Sequence, residues 1–210
     1  MLIQFEDIQS ILSAQNIRID NILHIGAHEC EEIGIYNQLG VSLDNILWLD
    51  AIPTKVAEAK ARGIPNVYNA VVTDKDDENI VFNISNFTQS SSILEFGTHS
   101  YEHPGIVHVN KIEQKSITID TFFQRNGIDA SKYNFWNFDI QGAELMALKG
   151  ATQSIQYPKA IYLEVSETEL YVNCGLIGEM DEFLAKHNFK RVKTVMTRHT
   201  WGDALYIRCD

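Results

Sequence analysis

Short apolar runs alternate along the chain with segments whose apolar residues recur at helical spacing. Each apolar run ends at glycine or a polar residue, which is typical of buried strands followed by loops. The predicted strands span residues 21–25, 46–49, 66–71, 80–84, 116–119, 135–138, 161–165, 189–195 and 204–208. The predicted helices span residues 5–14 (within an N-terminal helical region, 1–18), 29–39, 53–61, 120–126, 143–149 and 178–187.

This alternation of strands and helices predicts an α/β fold, with a mostly parallel sheet covered by helices on both faces. The last two strands have no helix between them, so we expect them to pair antiparallel. The strand at 80–84 alternates apolar and polar residues, which indicates an extra strand on an exposed part of the sheet. In such folds ligands bind beyond the carboxyl ends of the strands.

Residues 86–114 form the least regular part of the chain. They are rich in Ser, His and Gly and show no clear period. A loop of this length inside a compact domain is usually functional, so we predict that it borders an active site. The 210 residues contain no linker or repeat, and we expect a single domain over residues 1–210.

Composition narrows the classes of partner. The formal net charge of −11 argues against a nucleic-acid partner, because neutralising phosphates requires many clustered lysines and arginines. We find no apolar run long enough to span a membrane and no signal-peptide pattern. Three widely spaced cysteines without a CxxC pair fit a reducing compartment, and we expect a cytoplasmic protein.

Two strand ends indicate a site for an adenosine-bearing ligand. The loop after the first strand carries Gly26, which lets a backbone approach a ligand, but it lacks the GxGxxG pattern that binds a pyrophosphate. Asp50 ends the second strand, where a carboxylate can accept hydrogen bonds from both hydroxyls of a ribose. A cap on the following helix is the alternative role for Asp50, and the sequence leaves both open.

A third strand end is the richest in polar groups. The segment FWNFDIQGAELMALKGA, residues 135–151, places Asp139, Gln141 and Glu144 directly after a buried strand. One of these side chains on its own would suit a helix cap. Three polar side chains together favour a place at the rim of the cleft.

The chain resembles the FkbM family of S-adenosylmethionine-dependent methyltransferases. The resemblance covers about residues 21–190 and rests on HIGAHECEEIGIY, WLDAIP, QSSSIL, SITIDTF, NFDIQGAELMALKGA and IYLEVSETELY, in family order. DIQGAE is the most specific of these segments. The opening loop is similar to a branch of the family that has His at positions 24 and 28 and adds Glu32 and Tyr36.

The resemblance implies a Rossmann-like class I methyltransferase fold with a seven-stranded sheet and an antiparallel closing strand. It also implies S-adenosyl-L-methionine as the cofactor. The cofactor-binding residues that it implies are Gly26, Ala27, His28, Glu32, Asp50, Ala51, Ile52, Ala70, Val71, Ser91, Ser92, Asp139 and Gln141. Family members generally methylate hydroxyls, many of them on sugars, so the resemblance implies a small-molecule or glycan acceptor.

A neutral hydroxyl is a weak nucleophile and needs a base or a metal ion. Asp139 is the first candidate base, Glu164 the second, and a histidine of the irregular segment, such as His103, the third. A metal ion is a less favoured alternative. It would be Mg²⁺ on Asp139 and Glu164, or zinc on the histidines at 99, 103 and 108.

Other functions remain in competition at the level of sequence. A catalytically silent domain of the same fold is the main alternative, although it would not need to keep Gly26, Asp50, Asp139 and Gln141 together. A nucleotide-linked oxidoreductase is disfavoured by the missing GxGxxG. A nucleic-acid methyltransferase is disfavoured by the acidic charge. Fusion to a glycosyltransferase, or work alongside one, fits a sugar acceptor.

Overall fold

Strands and helices alternate over residues 1–209, the part of the chain that the computed structural model describes. The strands are β1 (Ile22–Ile25), β2 (Ile46–Asp50), β3 (Val67–Asn69), β4 (Val71–Val72), β5 (Asn79–Ser85), β6 (His108–Ile117), β7 (Phe135–Phe138), β8 (Ala160–Ser166), β9 (Phe189–Met196) and β10 (Trp201–Arg208). The helices are α1 (Phe5–Ala14), α2 (Ile33–Gln38), α3 (Pro53–Ala61), α4 (His99–Glu102), α5 (Ile119–Asn126), α6 (Glu144–Lys149) and α7 (Ile177–Lys186). None of these helices is long and apolar enough to cross a membrane.

Seven strands form the main sheet in the order β3-β2-β1-β7-β8-β10-β9. All the pairings are parallel except those of β10, which runs antiparallel to both β8 and β9. The predicted mostly parallel seven-stranded sheet with an antiparallel closing strand is therefore confirmed. The strand order reverses between β1 and β7, and this reversal opens a crevice at their carboxyl ends.

The four central strands are apolar because both of their faces are covered. Every residue of β1, β2, β7 and β8 is buried. Neighbouring residues pack into different layers: Leu23 and Trp136 belong to one hydrophobic core, while Ile22 and Trp48 belong to the other. This coverage of both faces explains why the four strands are mostly apolar, with few polar residues such as His24 and Asn137.

A second sheet corrects several sequence-based boundaries. Strands β4, β6 and β5 form a separate three-stranded sheet, so residues 80–84 do not extend the main sheet. The predicted strand 66–71 divides at Ala70, because the chain leaves β2 there and Thr73 N–H pairs with Ile117. The irregular segment ends before residue 108, and the predicted strand 116–119 is the end of the longer β6.

The loop after β1 also differs from its prediction. Helix α2 begins at Ile33, whereas the periodicity predicts a helix over 29–39. His28 and Cys30 have positive φ angles, 41° and 57°, and these left-handed conformations cannot continue into a right-handed helix. The acidic residues near them therefore lie in a turn beside the crevice and not in a first helical turn.

Candidate active site

The crevice at the carboxyl ends of the central strands holds a cavity of about 580 Å³. This volume lies within the range of small-molecule and cofactor sites. Eleven of the predicted site residues line it: Gly26, His28, Glu32, Asp50, Ala51, Ile52, Ser91, His103, Asp139, Gln141 and Glu164. They come from five separate regions of the chain, so folding gathers most of the predicted site into one place.

Four predicted residues do not line this cavity. Ala27 and Ser92 are buried, with Ala27 packed in the core and Ser92 Oγ donating a hydrogen bond to the backbone carbonyl of Gln141 at 2.8 Å. Ala70 and Val71 line an adjoining hollow of about 20 Å³, which shares Gly26 and Asp50 with the main cavity.

Gly26 lets the β1 loop pack against the end of β7. Its φ is +93°, and a Cβ atom built on it would lie 1.8 Å from the carbonyl oxygen of Asp139. Its backbone N–H donates to Leu49 at 2.8 Å. Only glycine satisfies both the conformation and the close approach, and this contact brings the loop and the Asp139 strand end to the same cavity.

The Asp50 carboxylate ties the β1 loop to the start of α3. Oδ2 accepts a hydrogen bond from the His28 backbone N–H at 2.7 Å, and Oδ1 accepts one from Ile52 N–H at 2.7 Å. Burial raises the pKa of this carboxyl, while both hydrogen bonds oppose the rise. Ile52 is the residue before α3, and no described side chain caps the helix, so Asp50 fixes the approach to α3 without capping it. The same carboxylate also faces the cavity, with lone pairs left for a ligand hydroxyl.

His28 joins two sides of the cavity. Its Nδ1 lies 2.9 Å from Glu31 Oε1, and its Nε2 lies 2.8 Å from Thr88 Oγ1. Thr88 belongs to the segment after β5, so the imidazole connects that segment to the β1 loop. Because both ring nitrogens have partners, His28 forms part of the cavity wall and is not free to act as a base.

An amide bridges two carboxyl groups at the junction of β7 and β8. Gln141 Nε2 donates to Asp139 Oδ1 at 2.6 Å and to Glu164 Oε2 at 3.1 Å. Tyr171 Oη donates to Gln141 Oε1 at 2.7 Å and fixes the orientation of that amide. Gln141 has a φ of 56°, a conformation that is costly for a residue with a side chain and is often kept at functional sites.

Desolvation and like charges raise the pKa of both carboxyl groups. Desolvation by the surrounding protein is the main cause that raises the pKa of Asp139 to about 6, and the negative charge of Asp203 adds to this rise. Burial raises the pKa of Glu164 well above its ordinary value, and Asp139 adds to this rise. Perturbed carboxyl groups facing a cleft are typical of acid–base sites.

A comparison of the sequence with protein-family profiles decides the family. The profile described as "Methyltransferase FkbM domain" matches residues 18–191. The chain belongs to the FkbM methyltransferase family. It is thus an S-adenosylmethionine-dependent methyltransferase with the class I fold, as the resemblance implied. A search of curated protein sequences finds no significant match.

Solved methyltransferase structures are similar to this FkbM domain at low sequence identity. Magnesium protoporphyrin IX methyltransferase from Synechocystis PCC 6803, with bound SAM, is 10% identical, with a TM-score of 0.48 and coverage of 98% of this chain and 78% of that chain. Precorrin-6y C5,15-methyltransferase from Geobacter metallireducens is 13% identical, with a TM-score of 0.43 and coverage of 98% and 89%. We draw no argument about the acceptor from similarity this distant.

Sequence reasoning missed two groups at the FkbM site. Asp203 on β10 pairs in register with Glu164 on β8, lines the cavity and accepts a hydrogen bond from Tyr162 Oη. The available signal was an acid directly before the predicted strand 204–208. Tyr171 lies in a loop after β8, and its sequence gives no local sign that it contacts Gln141.

Glu144 is placed differently from its prediction. It is buried and does not line the cavity. Its carboxylate accepts hydrogen bonds from the backbone N–H groups of Ile140 at 2.9 Å and Gly142 at 3.3 Å. Burial raises its pKa to about 7. Its role is to hold the turn that presents Asp139 and Gln141, and it does not contact the cavity.

The three histidines of the irregular segment do not form one cluster of metal ligands in the described part of the chain. His103 and His99 line the cavity, whereas His108 lies 3.4 Å from Glu95 and packs on the ring of Phe96. They do not come together as one zinc site. Asp139 and Glu164 share the Gln141 amide, so a cation between them would have to displace that amide.

Proposed function

We propose that this FkbM enzyme transfers a methyl group to a hydroxyl of a sugar or glycosylated small molecule. The observation that carries the proposal is the pair of carboxyl groups, Asp139 and Glu164, joined by Gln141 and facing the cavity. Methyl transfer to oxygen needs a group that removes the hydroxyl proton, and this pair supplies one.

We assign the cofactor to the side of the cavity formed by β1 and β2. Asp50 would accept hydrogen bonds from the ribose hydroxyls, and Ala51 and Ile52 would border the adenine. Ala70 and Val71, in the adjoining hollow, would edge the purine. S-adenosylmethionine, when bound, supplies a methyl carbon bonded to a sulfonium. The acidic lining suits that cation, since negative side chains stabilise a positive charge in a cleft.

Asp139 would act as the base and Glu164 would hold a proton. At neutral pH a carboxyl with a pKa of about 6 is mostly ionised. Burial raises the pKa of Glu164 well above its ordinary value, which favours the protonated form of that group. Asp139 would take the proton of the acceptor hydroxyl as the hydroxyl oxygen bonds to the methyl carbon, whose bond to sulfur would break with the electron pair left on a neutral thioether. Gln141 would hold the two carboxyl groups at a fixed separation throughout.

The cavity lining favours a neutral polyhydroxyl acceptor. Among the described residues, neither lysine nor arginine lines the cavity, while the acids at 31, 32, 50, 139, 164 and 203 do. A phosphate or carboxylate on the acceptor would therefore meet repulsion. Trp201 also lines the cavity and offers an apolar face to a sugar ring. A glycosyltransferase that supplies the sugar would be a natural partner.

The test is product analysis with a panel of acceptors. Purified protein would be incubated with S-adenosylmethionine and with matched neutral, phosphorylated and amino sugars, and mass spectrometry would detect added methyl groups. We expect O-methylation of neutral sugars, and its loss in Asp139→Asn. Methylation of nitrogen or carbon alone would contradict the proposal. Cofactor binding without any turnover would instead support the silent-domain alternative, which the family match does not favour.

A further inference from the structure

Three side chains outside the proposed catalytic pair converge at the edge of the cavity. Glu102 ends α4, His103 follows it, and His199 lies in the turn between β9 and β10. Their ligand atoms all lie within 4.8 Å of one another. We propose that these three residues form a binding site for a divalent transition-metal ion, Zn²⁺ by the chemistry of its ligands.

The geometry is close to that of a coordination sphere. His199 Nδ1 lies 3.3 Å from Glu102 Oε2. Two ligand atoms of a tetrahedral zinc ion, each bound at about 2.1 Å, are separated by about 3.4 Å. The rings of His103 and His199 lie 5.1 Å apart between centroids. Rotation of these half-buried side chains closes the remaining distances.

Within residues 1–209, the carboxylate of Glu102 has one close partner, His199 Nδ1 at 3.3 Å, but no hydrogen bond to its Oε2 atom. Its Oε2 atom is shielded from water and accepts no hydrogen bond within the described part of the chain. A buried carboxylate oxygen without a donor is costly, and native structures seldom retain one without a reason. A cation between Glu102 and the two imidazoles would satisfy this oxygen.

The donor set selects the ion. Two imidazole nitrogens and one carboxylate oxygen suit zinc and related transition metals, whereas Mg²⁺ and Ca²⁺ prefer all-oxygen sites. Three protein ligands leave a fourth tetrahedral position for water or another ligand. His103 also lines the cavity, which places the proposed site at its edge.

One existing contact must rearrange when metal binds. Arg198 Nε donates a hydrogen bond to His199 Nε2 at 2.9 Å. Arg198 is exposed and can move into solvent.

Metal binding would join two segments that are distant in sequence. Glu102 and His103 follow the short helix α4, whereas His199 belongs to the hairpin that closes the main sheet. An ion held between them would fasten the α4 segment to the β9–β10 turn beside the cavity. The proposed site does not depend on the acceptor or on which of Asp139 and Glu164 is the base.

The experiment is a titration of chelator-treated full-length protein with Co²⁺, followed by visible absorption, with Zn²⁺ as the competitor. We expect one Co²⁺ per chain, with the intense absorption of a low-coordinate site, and displacement by Zn²⁺. His199→Ala and Glu102→Gln should weaken binding by more than about 100-fold, since even outer-shell changes cost 10- to 100-fold.

Two matched variants serve as controls. His187→Ala and Glu95→Gln remove the same side-chain types away from the three ligands and should leave Co²⁺ affinity unchanged. Circular dichroism melts would confirm that each variant folds. The proposal would be overturned by wild-type protein that takes up no Co²⁺, or by folded His199→Ala that binds it as tightly as His187→Ala does.

Discussion

Tyr171 Oη donates a hydrogen bond to Gln141 Oε1 at 2.7 Å, and this contact turns the amide nitrogen toward the acidic pair. Tyr171 belongs to a loop that packs beneath the cavity and is almost fully buried. The uncharged Tyr171 thereby orients the Gln141 amide, which links Asp139 to Glu164. We consider Tyr171 a positioning residue, because it acts through Gln141.

Tyr171→Phe tests this positioning role. The variant loses one hydrogen bond, which we expect to lower the free energy of unfolding by about 1 kcal/mol. The freed amide should lower kcat and shift the pH profile, while the dissociation constant for S-adenosylmethionine stays the same. Initial-rate kinetics and calorimetry measure the two effects separately. A change in cofactor affinity with an unaltered pH profile would assign Tyr171 a different role.

The pH profile of turnover tests the assignment of the base. Since the pKa of Asp139 is raised to about 6, activity should rise with pH through that value. Asp139→Asn should lower kcat by at least about 100-fold, the lower bound for loss of a general base. Glu164→Gln, which keeps a neutral hydrogen-bonding group, should retain more activity. The reverse order of these two variants would make Glu164 the base.

The free energy of unfolding should fall as the pH rises, whereas the activity should rise. The pKa of Asp139 rises from 3.8 to about 6 on folding, so between these values the folded state binds more protons than the unfolded state. This contribution to stability is complete below the lower value and is lost as pH rises through about 6. Asp139→Asn should therefore be more stable than wild type at about pH 8, with a smaller difference at about pH 4.

Thermal melts at both pH values measure this effect. Asp74→Asn, in an exposed turn, is the matched control and should show no such dependence. An Asp139→Asn variant that is less stable than wild type at the higher pH would show that the ionised carboxylate stabilises the fold. That outcome would remove the physical basis for its raised pKa.

Alanine substitutions at Gly26 and Gly40 distinguish the cost of backbone strain from the cost of a steric clash. Gly26 and Gly40 both have positive φ, +93° and +83°, but a Cβ atom on Gly40 would meet nothing within 4 Å. Gly40→Ala should cost about 1 kcal/mol, the backbone penalty alone. Gly26→Ala adds the clash with Asp139 and should cost more and weaken cofactor binding. Denaturant melts measure the free energy of unfolding of both variants. Equal losses would mean that the β1 loop and the end of β7 are not in tight contact.

The sheet could be predicted from the sequence because its central strands are buried on both faces and read as apolar runs. Gly26, Asp50 and Asp139 follow those strands directly, so their shared edge was also predictable. Only the end of strand β6 was predicted, because one face of the preceding residues is exposed and carries Lys111 and Glu113, which hide the strand pattern.

The contacts that organise the site were beyond local sequence patterns. Asp203 faces Glu164 only because of the antiparallel register of β8 and β10. Tyr171 reaches Gln141 through the packing of a loop. The positive φ angles of His28 and Cys30 oppose the helical periodicity of their segment. Each of these features depends on tertiary structure and not on neighbouring residues.

Calorimetric titration of the purified protein with S-adenosylmethionine, its demethylated product and NAD tests the central claim most directly. We expect saturable binding of the first two ligands, no binding of NAD, and weaker binding to Asp50→Ala. The matched control is Asp44→Ala, before β2 and away from the residues that line the cavity, which should bind like wild type. Folded wild-type protein that binds neither S-adenosylmethionine nor its product would contradict the account.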